Sequence, residues 1–346
     1  MRKILIVTVY GSYNHGSYLQ AKALGEKLKN HGEVSFFESN TRKWKVIYTA
    51  LKRAKYFCRN AKNPIKIISV GVYELIEAFK LHRLWKKLPN TEDSDSYDLI
   101  VLGSDEIWNL SRKECRFPVF WGHGFKQSKI SYAPSLNNST YDDFEMFPEY
   151  VQYLNKIDCI SVRDLSSKKI LEKFTNKEIS IVLDPTLLSS PKEYHIKESK
   201  PYIAVYSFDA HISDSEQKKI IEFARSEKLN LVSVGQNVMW CDKCVHSKNG
   251  NPFYIFKNAR YVITSTFHGT AYAINYNTEF IAFCKENDKV ENLLREFELT
   301  ERIFNSENGI EGILSKKIDY KKVNEMLQKK RHIAENYIKL ALKSNS

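Results

Sequence analysis

Four short stretches carry residue types suited to chemistry. The first is Gly11-Ser12-Tyr13-Asn14-His15-Gly16. Its two glycines permit a tight turn and a bare backbone at a helix start, which favours anions. The pattern is not G-x-G-x-x-G and no Walker lysine follows. On spacing alone a plain strand-to-helix turn is favoured over a nucleotide site. The second is Gly103-Ser104-Asp105-Glu106-Ile107-Trp108-Asn109. A carboxylate just past a strand end, beside a glycine and a tryptophan, suits a general base, and it suits a helix N-cap equally well. The third is Ser161-Val162-Arg163-Asp164. An arginine directly after an apolar strand presents a fork that fits phosphate or carboxylate, unless an ion pair with Asp164 or another nearby acid takes it up. The fourth runs from Thr264 to Thr270 through Ser265, Thr266, Phe267, His268 and Gly269. Its backbone N–H groups form an anion nest at a helix start, and His268 is placed there to donate a proton. A lone histidine is usually structural, but a loop of hydroxyls and a glycine favours function.

These loops need strand ends to hold them. Residues 4–9 form an apolar, β-branched run read as a strand, followed by a helix over about 18–30 and a strand over 34–37. A helix-rich stretch covers 44–88. Strands follow at 98–102, 129–133, 159–162 and 179–183, with a helix at 166–174. After Pro191 and Pro201 the alternation restarts. Strands fall at 202–207, 229–234, 261–264 and 280–283, with helical segments at 215–227, 252–258 and up to 276, and a long charged helix at 320–343. Strands alternating with helices imply parallel sheets with βαβ crossovers. The expectation is an α/β chain of two Rossmann-like domains facing a central cleft. Their expected limits are 1–195, carrying a basic helical insertion at about 42–88, and 196–346, carrying the long terminal helix. All four stretches then lie at the C-terminal ends of strands, where open α/β sheets bind ligands.

The chain has 346 residues, 42% apolar and 27% charged, with 13 Gly and 9 Pro. Disordered, collagenous and low-complexity classes are excluded. No apolar run reaches the roughly 18 residues of a membrane span. Met1-Arg2-Lys3 before an apolar run resembles a signal peptide, but the run is short and Gly11-Ser12-Tyr13-Asn14 replaces a cleavage site. It reads as a buried first strand of a cytoplasmic protein. The six cysteines are scattered, as reduced thiols are. Cys241 and Cys244, with His246 nearby, lack a second ligand pair at a zinc spacing, and a loop with incidental thiols is expected instead of a metal site.

The net charge of +12 is localised. Between Glu38 and Glu74 there is no acidic residue and there are nine basic ones. Trp44, Ile47, Leu51, Ala54 and Cys58 recur at spacings of three and four, and Lys43, Lys45, Lys52 and Arg53 point mostly elsewhere. Such a helix suits an anionic membrane surface, with Lys43, Trp44, Lys45, Lys52 and Arg53 as the contact residues. A solvated surface helix is the plainer alternative. Nucleic acid ranks last, because no zinc-finger, helix-turn-helix or RNP signature accompanies the charge.

Together these residues resemble the polysaccharide pyruvyl transferase family. The likeness rests on 11–16 with Leu19-Gln20 and Ala23-Leu24, then 103–109, 130–135, 160–164, 183–187 and 263–269, in family order. Glu106, Asp164, Glu279 and Lys289 depart from residues common there (Gln, Glu, Pro and Arg). The resemblance implies a GT-B-like fold. It also implies transfer of the carboxyvinyl unit of phosphoenolpyruvate onto two sugar hydroxyls, giving a cyclic pyruvate ketal in capsule, exopolysaccharide or cell-wall polymers. Lipid-linked or polymer-bound sugars are the implied acceptors, at the cytoplasmic face of the membrane. The family's anion-binding arginine corresponds to Arg163, its histidine to His268, its donor-contacting backbone to Phe267, and its first-domain acid to Asp105.

The expected roles follow. His268 and Asp105 act as acid and base. Arg163, Ser265, Thr266, Phe267, Gly269, Lys285 and Lys289 bind the donor. Asn14, His15, Gly16, Ser104, Trp108 and Ser135 line the acceptor side. A small, strongly anionic donor is held by an arginine and a helix N-terminus without a metal, so no cofactor is expected and phosphoenolpyruvate is a co-substrate. A glycosyltransferase using a nucleotide sugar is the alternative enzyme. A non-catalytic scaffold for glycan assembly at the membrane is the alternative outside catalysis.

Overall fold

The structure is a computed structural model that describes residues 1–38, 48–49, 51–52, 64–191, 200–208, 211–284 and 288–343. Lys43, Trp44, Lys45, Arg53 and Lys285 lie outside the described residues. The chain divides into two compact units. One comprises Met1–Lys43, Arg83–Ser189 and Leu327–Ser346, and the other Trp44–His82 and Ser190–Met326.

In the first unit β1 (Lys3–Val7) leads through α1 (His15–Leu28) to β2 (Glu33–Phe37). Helix α2 (Pro64–Lys86), whose residues up to His82 group with the second unit, precedes β3 (Asn90–Thr91), β4 (Leu99–Asp105) and β5 (Ser128–Pro134). The short helices α3 (Tyr141–Met146) and α4 (Glu149–Leu154) follow, then β6 (Ile160–Val162), α5 (Leu165–Leu171) and β7 (Ile179–Ile181). The sheet order is β3-β2-β1-β4-β5, all parallel. β6 and β7 pair with each other, and a bridge from Cys159 to Ile130 attaches them beside β5. A parallel sheet is covered on both faces, so β1 and β4 are buried along nearly their whole length and read as continuous apolar runs.

The second unit is built the same way from β8 (Tyr202–Tyr206), α6 (Asp214–Ser226), β9 (Asn230–Val234), β10 (Lys243–Val245), β11 (Tyr261–Thr264), α7 (Phe267–Tyr276) and β12 (Phe280–Ala282). Helices α8 (Asp288–Glu296), α9 (Gly309–Ser315) and α10 (Tyr320–Lys343) complete it, α10 running on into the first unit's residues. Its order is β10-β9-β8-β11-β12, again all parallel. Ser213 and Glu216 close a capping box that starts α6 where the sequence turns helical.

In each sheet the strand order reverses at one place. β1 lies between β2 and β4, and β8 lies between β9 and β11. Crossovers leaving such a pair go to opposite faces, and the crevice between their loops is where this class of sheet takes ligands.

The units differ from the expected domains in two respects. Residues Trp44–His82 group with the second unit, not the first. There the Tyr73 hydroxyl donates to the Val245 carbonyl at 2.8 Å, and the buried Glu77 carboxylate meets His246 Nδ1 at 2.7 Å. From Leu327 onward α10 groups with the first unit, where Arg331 Nε donates to the Leu187 carbonyl and the Tyr337 hydroxyl to that of Ser131. Among the described residues no helix is long and apolar enough to cross a membrane.

Candidate functional site

In the first unit the reversal between β1 and β4 is occupied by the Gly103-Ser104-Asp105 turn. A Cβ on Gly103, whose φ is +132°, would strike the Tyr132 carbonyl oxygen of β5, so this position requires glycine. Asp105 has a φ of +80°, a region that non-glycine residues seldom occupy unless the surroundings hold them there. Its carboxylate accepts from Ser17 Oγ at 2.6 Å and from the Glu106 backbone N–H at 2.9 Å. Ser17 is a first-turn residue of α1, and Asn14 caps that helix by accepting from Gly16 and Ser17. A three-sided network fixes the turn from below. Gln20 Oε1 accepts from the Ser104 N–H, its Nε2 donates to Thr8 Oγ1, and Thr8 Oγ1 donates to the Ser104 carbonyl.

Arg163 lies beneath this turn. Its side chain is 2% exposed and its NH1 donates to Asp184 Oδ2 at 3.2 Å. Burial works against the guanidinium charge, but Asp184, then Asp105, Glu106 and Asp164, outweigh it and hold Arg163 above its ordinary range. The sequence left open an anion fork or an ion pair with Asp164 or another nearby acid. The pair is with Asp184, whose other oxygen accepts from the backbone and hydroxyl of Thr186. Asp164 instead caps α5 and accepts from Ser135 Oγ at 2.7 Å.

The remaining acceptor-side expectations separate. Ser104, Ser135 and Gly16 belong to this network. His15 is buried against Tyr13. Trp108 is corrected to a core residue. It has no exposed surface, stacks on Trp121 with centroids 4.7 Å apart, and donates from Nε1 to the Phe120 carbonyl. Its large apolar ring is stabilised by removal from water.

In the second unit the reversal between β8 and β11 carries the His268 loop. Thr264 of β11 pairs with Tyr206 of β8, and just beyond them the hydroxyls of Ser265 and Ser207 are 2.7 Å apart. Thr266 caps α7 by accepting from the Gly269 N–H at 3.0 Å. A Cβ on Gly269 would strike Thr264 Oγ1 and come within 2.8 Å of Thr266 Oγ1. Ser265, Thr266, Phe267, Gly269 and Thr270 are buried, while His268 alone of this run is partly exposed, edge-on to the Phe267 ring. The loop therefore presents an imidazole beside the N-terminus of a ten-residue helix, where backbone N–H groups and the helix dipole favour an anion. Lys289 stands in the first turn of α8, which packs against α7. Glu279, one of the departures from the family pattern, pairs with the buried Arg302 at 3.0 Å.

Sequence reasoning did not single out Thr8, Ser17, Gln20 or Asp184 as site residues. Gln20 and Asp184 stand inside the stretches that carry the family resemblance, so the signal was present. What those side chains bond to is set by tertiary structure.

Known structures define the class to which this fold belongs. A Listeria monocytogenes protein assigned as a UDP-N-acetylglucosamine 2-epimerase has a TM-score of 0.53 and 12% identity, over 99% of this chain and 96% of that one. The glycotransferase of kitacinnamycin has a TM-score of 0.52 and 9% identity, over 99% of each chain. S. aureus MnaA, in a co-structure with UDP, has a TM-score of 0.52 and 10% identity, over 96% of this chain and 91% of that one. At such identity the likeness establishes the fold, the two-domain α/β class of GT-B glycosyltransferases and their epimerase relatives. Within it, residues 14–283 match the description of the polysaccharide pyruvyl transferases, and the chain belongs to that family. No curated protein matches the chain.

Proposed function

We propose that the protein moves the enolpyruvyl unit of phosphoenolpyruvate onto two hydroxyls of one sugar, forming a cyclic pyruvate ketal on a bacterial cell-surface polysaccharide precursor. The observation that carries this reading is the His268 loop. Partly exposed His268, its Nε2 turned inward, stands in the first turn of a Thr266-capped helix at the sheet's strand-order reversal. That combination suits a small anionic donor that must also be protonated.

The chemistry follows from the donor. The α7 N-terminus holds its phosphate or carboxylate, with Lys289 and Lys285 adding charge. His268 delivers a proton to the methylene carbon, and C2 becomes an oxocarbenium-like centre. A first sugar hydroxyl adds to C2, its proton passing to a base, for which Asp105 is the candidate. The C2–O bond to phosphate breaks, the second hydroxyl adds with loss of its proton, and the ketal closes. One proton enters at carbon, two leave from oxygen, and phosphate departs. Arg163 acts through Asp184, keeping the Ser104–Asp105 turn in place. No cofactor enters this scheme. The acceptor is a lipid-linked or polymer-bound sugar at the cytoplasmic face of the membrane.

Phosphate release from phosphoenolpyruvate, measured against a panel of galactosides and N-acetylmannosaminides, tests the reading. Thermal protection by phosphoenolpyruvate should accompany it. Protection by a nucleotide sugar, with none by phosphoenolpyruvate, would replace it with a glycosyltransferase.

A further inference from the structure

Helix α2 is apolar on two sides and keeps its two acids inside. Val70, Tyr73, Ala78, Leu81 and Trp85 face inward and are buried, and Glu74 and Glu77 are buried completely among them. Ile68, Val72, Leu75, Ile76 and Phe79 face outward, Ile68 with 67% and Phe79 with 58% of their surface exposed. Spacings of four, three, one and three place these five on one helical stripe.

The inward carboxylates are engaged. Glu77 meets His246 Nδ1 at 2.7 Å and accepts from the Ser247 N–H at 3.3 Å, while Glu74 accepts from the Asn237 N–H at 3.4 Å. With both acids turned inward, the exposed charged side chains among the described residues of α2 are Lys80, Arg83 and Lys86, all cationic. Isolated surface leucines need no explanation, but a continuous stripe of five large apolar residues does. Its partner must be apolar opposite the stripe and anionic opposite its end. The α2 of a second copy offers these cations no exposed acid among its described residues: run parallel it sets cation against cation, and run antiparallel it sets the cations against the apolar start of the stripe. An anionic phospholipid surface meets both demands, and the acid-free run of nine basic residues before Glu74 adds to the attraction.

We propose that α2 is a membrane-docking helix. Ile68, Val72, Leu75, Ile76 and Phe79 enter the headgroup–acyl boundary, and Lys80, Arg83 and Lys86 lie at the level of the anionic headgroups. This deepens the reading of a lipid-carried acceptor but uses no step of the proposed reaction. It adds an insertion face on α2 to the one that the sequence pattern suggested around Trp44, which lies outside the described residues.

The test is flotation of the full chain with vesicles of phosphatidylglycerol and phosphatidylcholine, against phosphatidylcholine alone. The expected result is binding that requires phosphatidylglycerol and that falls at least about tenfold in Val72→Glu/Phe79→Glu. In Arg83→Gln/Lys86→Gln, binding should weaken at low salt and differ little from wild type at high salt. All four positions are exposed, so an unchanged melting temperature checks that the variants fold. Undiminished flotation of Val72→Glu/Phe79→Glu overturns the proposal, as does absence of wild-type binding. A wild-type dimer that this variant turns into a monomer, with no vesicle binding by either, also overturns it and makes the stripe an interface between copies. Phosphate release with a water-soluble sugar is expected to be unaffected by these variants. Its absence in every protein, wild type included, counts against the reaction and leaves the docking face standing.

Discussion

The Asp184 carboxylate stands 3.2 Å from the Ser104 hydroxyl and 3.2 Å from the Arg163 guanidinium, and all three residues are buried. One carboxylate thus ties the segment after β7 to the turn that ends β4. The turn holds Asp105 in a left-handed conformation, and the pair beneath it supplies part of what keeps it there.

Replacing Arg163 by Met leaves Asp184 buried without its counter-charge. Breaking a buried pair in this way costs about 3–5 kcal/mol. Urea unfolding should show a loss of that size for Arg163→Met and a similar loss for Asp184→Leu. The double variant should be more stable than the two losses added together. Strict additivity would mean that the two side chains do not act on each other.

The reaction assigned to the two loops makes a kinetic prediction. His268→Gln and Asp105→Asn each preserve shape and remove a proton carrier. Each should lower kcat for phosphate release by about 10²- to 10⁴-fold. Ser17→Ala removes only the hydroxyl that donates to Asp105, so a smaller loss is expected, with Asp105 freed to leave its position. Near-normal kcat in a folded His268→Gln protein would remove His268 from the chemistry.

Much of the sheet framework was legible in the sequence. A parallel strand covered on both faces must be a continuous apolar run, which is why β1, β4, β8 and β11 stand out. The end of α7 at Tyr276 and the span of α10 were also legible. Strand β10, with the sequence Lys-Cys-Val and half-exposed, carries no such signal. At the site, the loops could be found because glycine, hydroxyl and histidine residues cluster at strand ends. The partners of Arg163 and Trp108 could not be. A side chain after an apolar strand has the same local sequence whether it opens on solvent or on a buried carboxylate, and Trp108 packs inward against Trp121 and other core residues that come from elsewhere in the chain. Glu74 and Glu77 carry a signal of their own. Two acids three residues apart in an otherwise apolar helix face must be either solvated or buried with partners, and here they are buried.

The cap of α7 leaves no room for a methyl group. In Gly269→Ala the new Cβ would meet Thr264 Oγ1 and Thr266 Oγ1 and displace the hydroxyl that caps the helix. Overpacking of this kind costs about 1–3 kcal/mol. Thr266→Val, which removes the cap alone, should cost about 0.5–2 kcal/mol. Thermal unfolding should rank Gly269→Ala below Thr266→Val, and, on the proposed reading of this helix start as the donor's anion site, the donor KM should rise in both. An unchanged KM in Gly269→Ala would place donor binding elsewhere.

Cys244 reports whether α2 is docked on its own unit. Burial pushes its thiol up to about 11, and Glu74 and Glu77 of α2 push the same way, against hydrogen bonds from Ser233 and Tyr73. An unfolded thiol titrates near 8.5. Because the folded value is the higher, this group's contribution to stability is full below about pH 8.5 and is lost as pH rises toward 11. At pH 8 iodoacetamide should therefore label Cys244 far more slowly than a model thiol, as read by peptide mass spectrometry. Glu77→Ala removes the carboxylate that meets His246 at 2.7 Å and should loosen α2. Loosening admits water to Cys244, lowers its pKa and speeds labelling, while the buried Cys115 of the first unit stays slow. If Cys244 labels at the wild-type rate in Glu77→Ala, then Tyr73 and the apolar contacts of α2 hold the helix without that carboxylate.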